Sequence, residues 1–166
     1  NKLYKDTYTK IIEKSLLTGK SLQGPEVISL ERKLATMHNK KYAVAVNSCT
    51  DAIFFALKCL NLKHGDEVLV TNFSYVASAS AIVRAGLVPI FVDINEDYNM
   101  NLKNAQMQVT KKTKVLLYVH LFGQMEKPKQ IEKFCKNNKI ILIEDVAQSF
   151  GASRDNVISG SIGRMS

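Results

Sequence analysis

The sequence predicts an α/β fold in which a mostly parallel sheet carries helices on both faces. Five short apolar or β-branched runs alternate with amphipathic stretches along the chain. This alternation is typical of parallel strands that are connected by helices. Polar residues directly follow several of the runs, as expected where a sheet presents the carboxyl ends of its strands to a ligand. The runs that predict strands are residues 42–46, 67–71, 88–92, 115–119 and 140–144.

Capping residues and helical spacing predict the segments between these strands. Gly24-Pro25-Glu26 is typical of a helix start, since proline fits the first helical position and an acidic residue favours the first turn. Two further helices are predicted at about residues 74–85 and 99–109, the second of them shorter. Apolar residues that recur every three or four positions predict one buried stripe per helix. The expected stripes are Ile11, Ile12, Leu16 and Leu17 in the first twenty residues, then Val27, Leu30, Leu34 and Met37, then Ala52, Phe55, Ala56, Cys59 and Leu60, and finally Ile131, Phe134 and Cys135.

Length and composition favour one main domain of a globular protein. We expect residues 1–21 to form an N-terminal helical segment and residues 22–166 to form the domain that carries the site. Hydrophobic residues make up 46% of the chain, and no apolar run approaches the roughly 18 residues of a membrane span. No secretory signal is visible, and Cys49, Cys59 and Cys135 are odd in number without metal-binding spacing. These features predict a cytoplasmic protein without a disulfide framework or a metal site.

The formal net charge of +8 raises the question of nucleic-acid binding. Clustered lysine and arginine side chains bind phosphates through their charge. Here the basic residues are spread along most of the chain, with one short run at residues 111–114, and no basic patch is interleaved with stacking aromatics. We therefore interpret the charge as a solvated, lysine-rich surface that can help to capture an anionic small substrate.

The first candidate binding element is the junction between the first predicted strand and the helix after it. The junction reads Asn-Ser-Cys-Thr-Asp-Ala over residues 47–52. Free N–H groups at a helix start and the positive end of the helix dipole favour an anion such as phosphate. The residues alone also allow a simpler interpretation, in which Ser48 or Thr50 only caps the helix.

A second candidate element lies at the end of the last predicted strand. Residues 140–151 deliver Asp145 and, three residues later, Gln148 to the carboxyl edge of the sheet. Glu144 precedes Asp145 and is expected to point to the opposite face, because side chains alternate along a strand. An isolated pair of this kind also fits an ordinary turn or helix cap.

A third candidate element is Tyr75, an aromatic residue after the second predicted strand. A flat aromatic ring at this position can stack on a pyridine ring. With the segments around Thr50 and Asp145, Tyr75 makes residues 22–166 similar to the DegT/DnrJ family of sugar aminotransferases, which use pyridoxal phosphate on the fold type I scaffold. Phe73, two residues before Tyr75, aligns with an aromatic that is expected in the core.

The resemblance implies a role for each candidate residue. It places the protein's cofactor at the carboxyl edge of the sheet. Cys49 and Thr50 would hold the cofactor phosphate, Tyr75 would stack on the ring, Asp145 would keep the ring nitrogen protonated, and Gln148 would donate a hydrogen bond to the ring oxygen.

Other positions differ from the family pattern or are weaker candidates. Cys49 stands where glycine is usual, so the turn would be strained if this residue had a positive φ angle. Arg164 stands where aspartate is usual after the Gly-Ser-x-Gly segment at residues 160–163. His120 is a weaker candidate for the substrate side of the site, since a histidine at a strand end is more often structural. The Schiff-base lysine and a phosphate-binding serine are expected beyond Ser166, so no catalytic residue is assigned within the chain.

The resemblance implies that a homodimer transfers an amino group from glutamate to a keto-sugar linked to a nucleotide. The chain by itself is expected to be an inactive portion of such an enzyme. A pyridoxal-dependent sugar dehydratase of the same family, with histidine in place of the lysine, is one alternative. A second is a non-catalytic fragment or regulator that binds the cofactor weakly or not at all. A Rossmann-type nucleotide binder is a third, although no Gly-x-Gly-x-x-Gly follows any predicted strand.

Overall fold

The computed structural model describes residues 4–19, 22 and 24–166. The chain divides into two compact units, Asn1–Ala45 and Val46–Ser166. This division falls after the second helix, whereas the sequence placed a boundary after residue 21, and that earlier boundary stays a prediction.

The first unit contains two helices whose apolar residues are largely exposed. Helix α1 is Lys5–Thr18 and helix α2 is Pro25–Met37, so both predicted helices are present. Their predicted buried stripes are wrong within the described residues, because an apolar face is buried only where a second surface covers it. Ala35 is the residue of α2 that is buried. Ile11, Ile12, Leu16, Leu17, Leu30 and Met37 are exposed, while Val27 and Leu34 are partly buried.

The second unit is built on a four-stranded sheet with the order β2-β1-β3-β4. Every neighbouring pair of strands is parallel. Four of the five predicted strands and the α/β fold class are therefore confirmed. The strands are β1 Glu67–Thr71, β2 Val88–Val92, β3 Thr113–Val119 and β4 Ile141–Asp145.

The prediction of the remaining strand, residues 42–46, is wrong for the part of the chain that the structure describes. The apolar alternation is present, but Tyr42 and Val44 are 73% and 78% exposed and the segment forms no ladder. Alternation alone does not make a strand, because the strand also needs a hydrogen-bonded neighbour. The Ala45 N–H instead donates to the Glu31 carboxylate at 2.7 Å.

Helices cover both faces of this sheet, as the sequence predicted. Val115 and Leu117 of β3 pack in the core that includes residues of α3 and α4. Leu116 and Tyr118 point the other way, into the core that includes residues of α5 and α6. This alternation explains why β3 is apolar along its whole length. The four helices are α3 Cys49–Lys58, α4 Ala77–Arg84, α5 Leu102–Gln108 and α6 Pro128–Asn138.

The buried stripe of α6 is confirmed in full, whereas the stripe predicted for α3 is right only in part, since Ala52, Ala56 and Leu60 are partly buried. The buried residues of α3 are Ile53 and Leu57, while Phe55 and Cys59 are exposed. Helix α3 is apolar on more than one side, so its sequence does not select the face that packs on the sheet.

The chain after β4 forms a short antiparallel pair and then returns to the sheet. The pair consists of β5 Ser153–Arg154 and β6 Val157–Ile158. Met165 then makes a parallel bridge with Ile143 of β4. Among the helices that the structure describes, none is long and apolar enough to cross a membrane.

Candidate functional site

The candidate site lies at the carboxyl edge of the sheet, and helix α3 provides its first element. Ser48 is the N-cap of α3, and its side chain accepts a hydrogen bond from the Asp51 N–H at 3.1 Å. Cys49 and Thr50 are the first two helical residues, where N–H groups have no intrahelical acceptor. Cys49 is not among the residues with positive φ. The conformation is therefore one that cysteine adopts without strain.

The acidic residue in the first turn of α3 is paired with a cation. The Asp51 carboxylate accepts a hydrogen bond from Arg84 of α4, and this contact holds the pKa of Asp51 below its ordinary value. The Arg84 guanidinium also lies over the Phe54 ring, 4.2 Å from its centroid. Because Arg84 offsets the charge of Asp51, the start of α3 remains suited to an anion.

Asp145 connects the end of β4 with the start of α3. Its Oδ1 atom accepts hydrogen bonds from the Cys49 thiol at 3.6 Å and from the Ala147 N–H at 3.0 Å. Partial burial and the nearby Asp145 charge raise the pKa of the Cys49 thiol to about 11. The thiol is therefore protonated at neutral pH and donates to the carboxylate. Both contacts use Oδ1, so within the described residues Oδ2 is left to accept from another donor.

The side chain of Gln148 is oriented by the backbone of Phe122. The Phe122 N–H donates to Gln148 Oε1 at 2.8 Å. Phe122 has a φ angle of 56°, which is uncommon for a residue other than glycine. Since Oε1 is already an acceptor, the amide NH2 group of Gln148 is the part that can donate to a ligand.

Tyr75 lies in the segment between β1 and α4, and its side chain is 73% exposed. Its ring is therefore accessible to a ligand.

Phe73, which the sequence places in the core, is exposed in the structure. Its ring is exposed and stacks on Tyr98 with centroids 5.7 Å apart. Tyr98 in turn meets the Phe122 ring edge-on, also at 5.7 Å. The prediction that Phe73 packs in the core is therefore wrong, because it belongs to an exposed aromatic cluster.

His120 does not lie with the other candidates. Its side chain is fully buried, with Nε2 3.0 Å from Glu144 Oε1, so the structure gives it no surface for a substrate. Burial acts to raise the pKa of the Glu144 carboxyl, but hydrogen bonds from His120, Gly163 and Gly160 outweigh it and hold the pKa below its ordinary value. Glu144 thus points into the protein, away from the face that Asp145 presents to Cys49.

The remaining side chains at this edge do not form a metal centre. Within the ranges that the structure describes, no group of three or more His, Cys, Asp or Glu residues is placed to hold a metal ion. The arrangement instead combines a helix start, a carboxylate, an amide donor and an exposed aromatic ring. This set suits an anionic molecule with a flat, nitrogen-containing ring.

Comparison with known proteins identifies the family of this chain. A model of the DegT/DnrJ/EryC1/StrS aminotransferase family matches residues 3–166. The chain belongs to this family. The resemblance found in the sequence is therefore confirmed.

Individual relatives match most of this chain but less than half of their own length. The chain is 33% identical over 155 residues to the pleiotropic regulatory protein of Geobacillus stearothermophilus, which covers 93% of this chain and 42% of that protein. It is 35% identical over 147 residues to the GDP-perosamine synthase of Escherichia coli O157:H7, which covers 88% of this chain and 40% of that protein. The chain thus spans about two fifths of these DegT/DnrJ/EryC1/StrS relatives.

A solved structure shows the cofactor of the family. The E. coli GDP-4-keto-6-deoxy-D-mannose-3-dehydratase with bound hydrated pyridoxal phosphate superposes with a TM-score of 0.86 at 31% identity, over 93% of this chain and 42% of that one. The predicted cofactor is therefore confirmed at the level of the DegT/DnrJ/EryC1/StrS family.

Sequence reasoning missed the partners of one buried residue next to Asp145. Glu144 was assigned only an inward direction, yet its carboxylate binds His120 and the glycine turn at residues 160–163. A signal was present, because a glutamate on the buried side of an apolar strand is rarely tolerated without partners. The Arg164 N–H donates to Leu142 O at 2.8 Å, so the segment after this turn follows β4.

Proposed function

We propose that the whole protein is a cytoplasmic homodimer that uses pyridoxal phosphate to transfer an amino group from glutamate to a nucleotide-linked keto-sugar. The contact between Cys49 and Asp145 carries this proposal, because it sets a carboxylate beside the start of a ten-residue helix. A phosphate group and a protonated ring nitrogen are the two features of the cofactor that such elements bind. Membership of the aminotransferase family supports the reaction class.

The donor set of this chain fits the cofactor. The N–H groups of Cys49 and Thr50, with the dipole of α3, would hold the phosphate. The exposed Tyr75 ring would cover one face of the pyridine ring. Asp145 Oδ2 would accept from the ring nitrogen, and the Gln148 amide would donate to the ring oxygen.

The chemistry at the reacting atoms would come from the cofactor and the electrostatics from the chain. When bound, pyridoxal phosphate supplies a ring that withdraws electrons from the substrate's reacting carbon. Asp145 would keep the proton on the ring nitrogen through its negative charge. The Ala147 N–H and the Cys49 thiol fix the direction of this carboxylate. We place the required lysine and the phosphate-binding serine beyond Ser166.

A dehydratase is the second candidate function, and the similarity to the E. coli dehydratase favours it. The two activities share the cofactor and differ in the residue at the lysine position. A lysine there can hold the cofactor covalently and move a proton, whereas a histidine can only move the proton. The residues described here would hold the same cofactor for either reaction.

The proposal is tested with the purified whole protein, pyridoxal phosphate, glutamate and a panel of GDP-, UDP- and TDP-linked keto-sugars. Formation of 2-oxoglutarate with an equal amount of amino-sugar, identified by its mass, is the expected result. Loss of water from the sugar would instead establish the dehydratase. A protein that binds no pyridoxal phosphate and converts no sugar would refute both.

One substitution tests the site itself within the same assay. Asp145→Asn should keep the fold but lose most of the turnover, because an amide cannot hold the ring proton by charge. Asp155→Asn is a matched control, since Asp155 is exposed between β5 and β6. Equal turnover in the Asp145→Asn variant and the wild type would contradict the assignment of Asp145.

A further inference from the structure

The Glu144 carboxylate connects three separate segments next to Asp145. Oε1 accepts hydrogen bonds from His120 Nε2 and from the Gly160 N–H, both at 3.0 Å. Oε2 accepts from the Gly163 N–H at 2.5 Å. The side chains of Glu144 and His120 are fully buried. Glu144 lies in β4. Its carboxylate therefore joins this strand to the end of β3 and to the glycine turn at residues 160–163.

The three donors are needed together because the carboxylate has no contact with solvent. A buried charge is costly unless hydrogen bonds or an opposite charge compensate it. His120 Nδ1 has no hydrogen-bond partner within the described residues, so a proton on Nε2 satisfies the pair best, with His120 donating to Glu144. Loss of any one donor would leave the charge of Glu144 less compensated.

The glycine turn fits closely against this carboxylate. A Cβ atom at Gly163 would lie 2.9 Å from Met165 O and 3.1 Å from Glu144 Oε2. Both distances are shorter than normal contacts with a Cβ atom, so a larger residue would displace the turn from Glu144. The position of the turn is therefore set by Glu144 on one side and by Met165 on the other.

The segment after the turn runs alongside β4. The Arg164 N–H donates to Leu142 O at 2.8 Å, and the Glu144 N–H donates to Met165 O at 3.0 Å. Met165 also forms a parallel bridge with Ile143. The chain that leaves the turn thus starts as the next neighbour of β4, whose last residue is Asp145.

We propose that Glu144 is a positioning residue of the cofactor site, because its carboxylate fixes the glycine turn relative to Asp145. This inference rests on the proposed function, in which the residues beyond Ser166 supply a phosphate-binding serine and a lysine. Glu144 then sets where that segment begins relative to the carboxylate that binds the ring nitrogen. His120 acts through Glu144 and contacts neither substrate nor cofactor.

The first test uses hydrogen exchange in the whole protein without cofactor. In Glu144→Gln the Gly160 and Gly163 amides should exchange about tenfold faster than in the wild type, because their acceptor is weakened. Ile131→Ala is the control for a loss of global stability, since it disturbs the packing of α6 and leaves Glu144 intact; its two glycine amides should accelerate no more than the amides of β3. Wild-type exchange at both glycines in Glu144→Gln would overturn the proposal, as would an acceleration there no larger than that of the β3 amides in the same variant.

The second test measures cofactor binding by the whole protein. Glu144→Gln should weaken the affinity for pyridoxal phosphate about tenfold and shift the absorbance maximum of the bound cofactor. His120→Phe should do the same, whereas His120→Gln should restore the wild-type spectrum because its amide can still donate to Glu144. If Glu144 had a purely structural role, Ile131→Ala would lose the same affinity for pyridoxal phosphate when its melting temperature matches that of Glu144→Gln.

The outcomes separate this inference from the proposed function. A wild-type protein that binds pyridoxal phosphate, together with a Glu144→Gln variant of unchanged affinity and spectrum, refutes the role of Glu144 alone. A wild-type protein that binds no pyridoxal phosphate refutes the proposed function and, with it, the cofactor role of Glu144. The exchange of Gly160 and Gly163 would still report whether Glu144 fixes the turn.

Discussion

The thiol of Cys49 is a hydrogen-bond donor at a position where the resemblance found in the sequence implies glycine. It donates to the carboxylate that would bind the ring nitrogen, and burial and the Asp145 charge keep it protonated. A glycine at this position would leave Asp145 without that donor. At the residue scale, Cys49 therefore orients Asp145 in addition to starting helix α3.

The titration of Cys49 gives the first prediction. Iodoacetamide should modify Cys49 with a midpoint near pH 11 in place of the ordinary thiol value of 9.0. At pH 8 the rate should be about a hundredfold below that of a free thiol, because two pKa units correspond to that factor. Asp145→Asn should lower the midpoint, since the variant removes the negative charge. Peptide mapping separates Cys49 from Cys59, and a midpoint near 9 in the wild type would contradict the partial burial of Cys49 and its contact with Asp145.

The sequence predicted which residues reach this edge but not what orients them. Alternation along β4 separated Glu144 from Asp145, since that rule depends only on local geometry. The contacts from Cys49 to Asp145 and from Phe122 to Gln148 join residues 96 and 26 positions apart. Contacts over such distances depend on how the whole sheet packs. For the same reason the partner of His120 could not be found from its position at a strand end.

At the element scale, helix α6 and the glycine turn are each held by buried groups that a single substitution can remove. Helix α6 packs its predicted stripe into the core beneath β3 and β4. The turn depends on a buried carboxylate instead. These two kinds of burial respond differently to mutation and to pH.

The packing of α6 gives the second prediction. Ile131→Ala should lower the free energy of unfolding by about 2–5 kcal/mol, because it removes a fully buried side chain and leaves a cavity. Ile28→Ala on α2 makes the same chemical change at a side chain that is 49% exposed and should change stability by less than about 0.5 kcal/mol. Urea unfolding of both variants checks this. Equal losses would mean that the assigned core is wrong.

The lowered pKa of Glu144 gives the third prediction. A carboxyl group with a lowered pKa in the folded state stabilises the fold above its ordinary pKa of 4.5, and this contribution is lost as the pH falls through the folded-state value. Glu144→Gln should therefore cost about 1–3 kcal/mol at pH 7, and the difference from wild type should shrink as the pH is lowered below 4.5. Urea unfolding at several pH values measures it, with the exposed Glu132→Gln as control. A difference that is the same at every pH would show that the charge of Glu144 contributes nothing.

The helices and strands were predicted correctly where a sequence pattern is compatible with only one kind of structure. Parallel strands covered by helices are apolar runs, and four such runs became strands, although β2 at the edge of the sheet is partly exposed. Residues 42–46 show the limit of this reasoning, because a strand also requires a hydrogen-bonded neighbour and this segment forms no ladder within the described residues. The stripes of α1 and α2 failed for a related reason, since periodicity defines an apolar face but not the surface that covers it.

At the scale of the whole molecule, assembly is the fourth prediction. The whole protein should be a homodimer at assay concentrations, because the resemblance implies active sites at a subunit boundary and the site described here is open on the sheet edge. Sedimentation velocity on the active, cofactor-loaded protein measures this directly. An active monomer would rule it out, whereas loss of turnover on dilution below the dimer dissociation constant would support it.

The response of the 166-residue chain to pyridoxal phosphate is the last prediction. The chain has the start of α3, the Tyr75 ring and the Asp145 carboxylate, but we place the lysine and the phosphate-binding serine beyond Ser166. Binding should therefore be weak and noncovalent, because most of the preorganised contacts are missing. Surface lysines will react adventitiously, so the test is borohydride trapping followed by peptide mapping. We expect substoichiometric adducts spread over many lysines, equally in wild type and Asp145→Asn. One stoichiometric adduct on a single lysine, with amino transfer to a keto-sugar nucleotide, would show that the catalytic lysine lies within this chain and that the site has been misplaced.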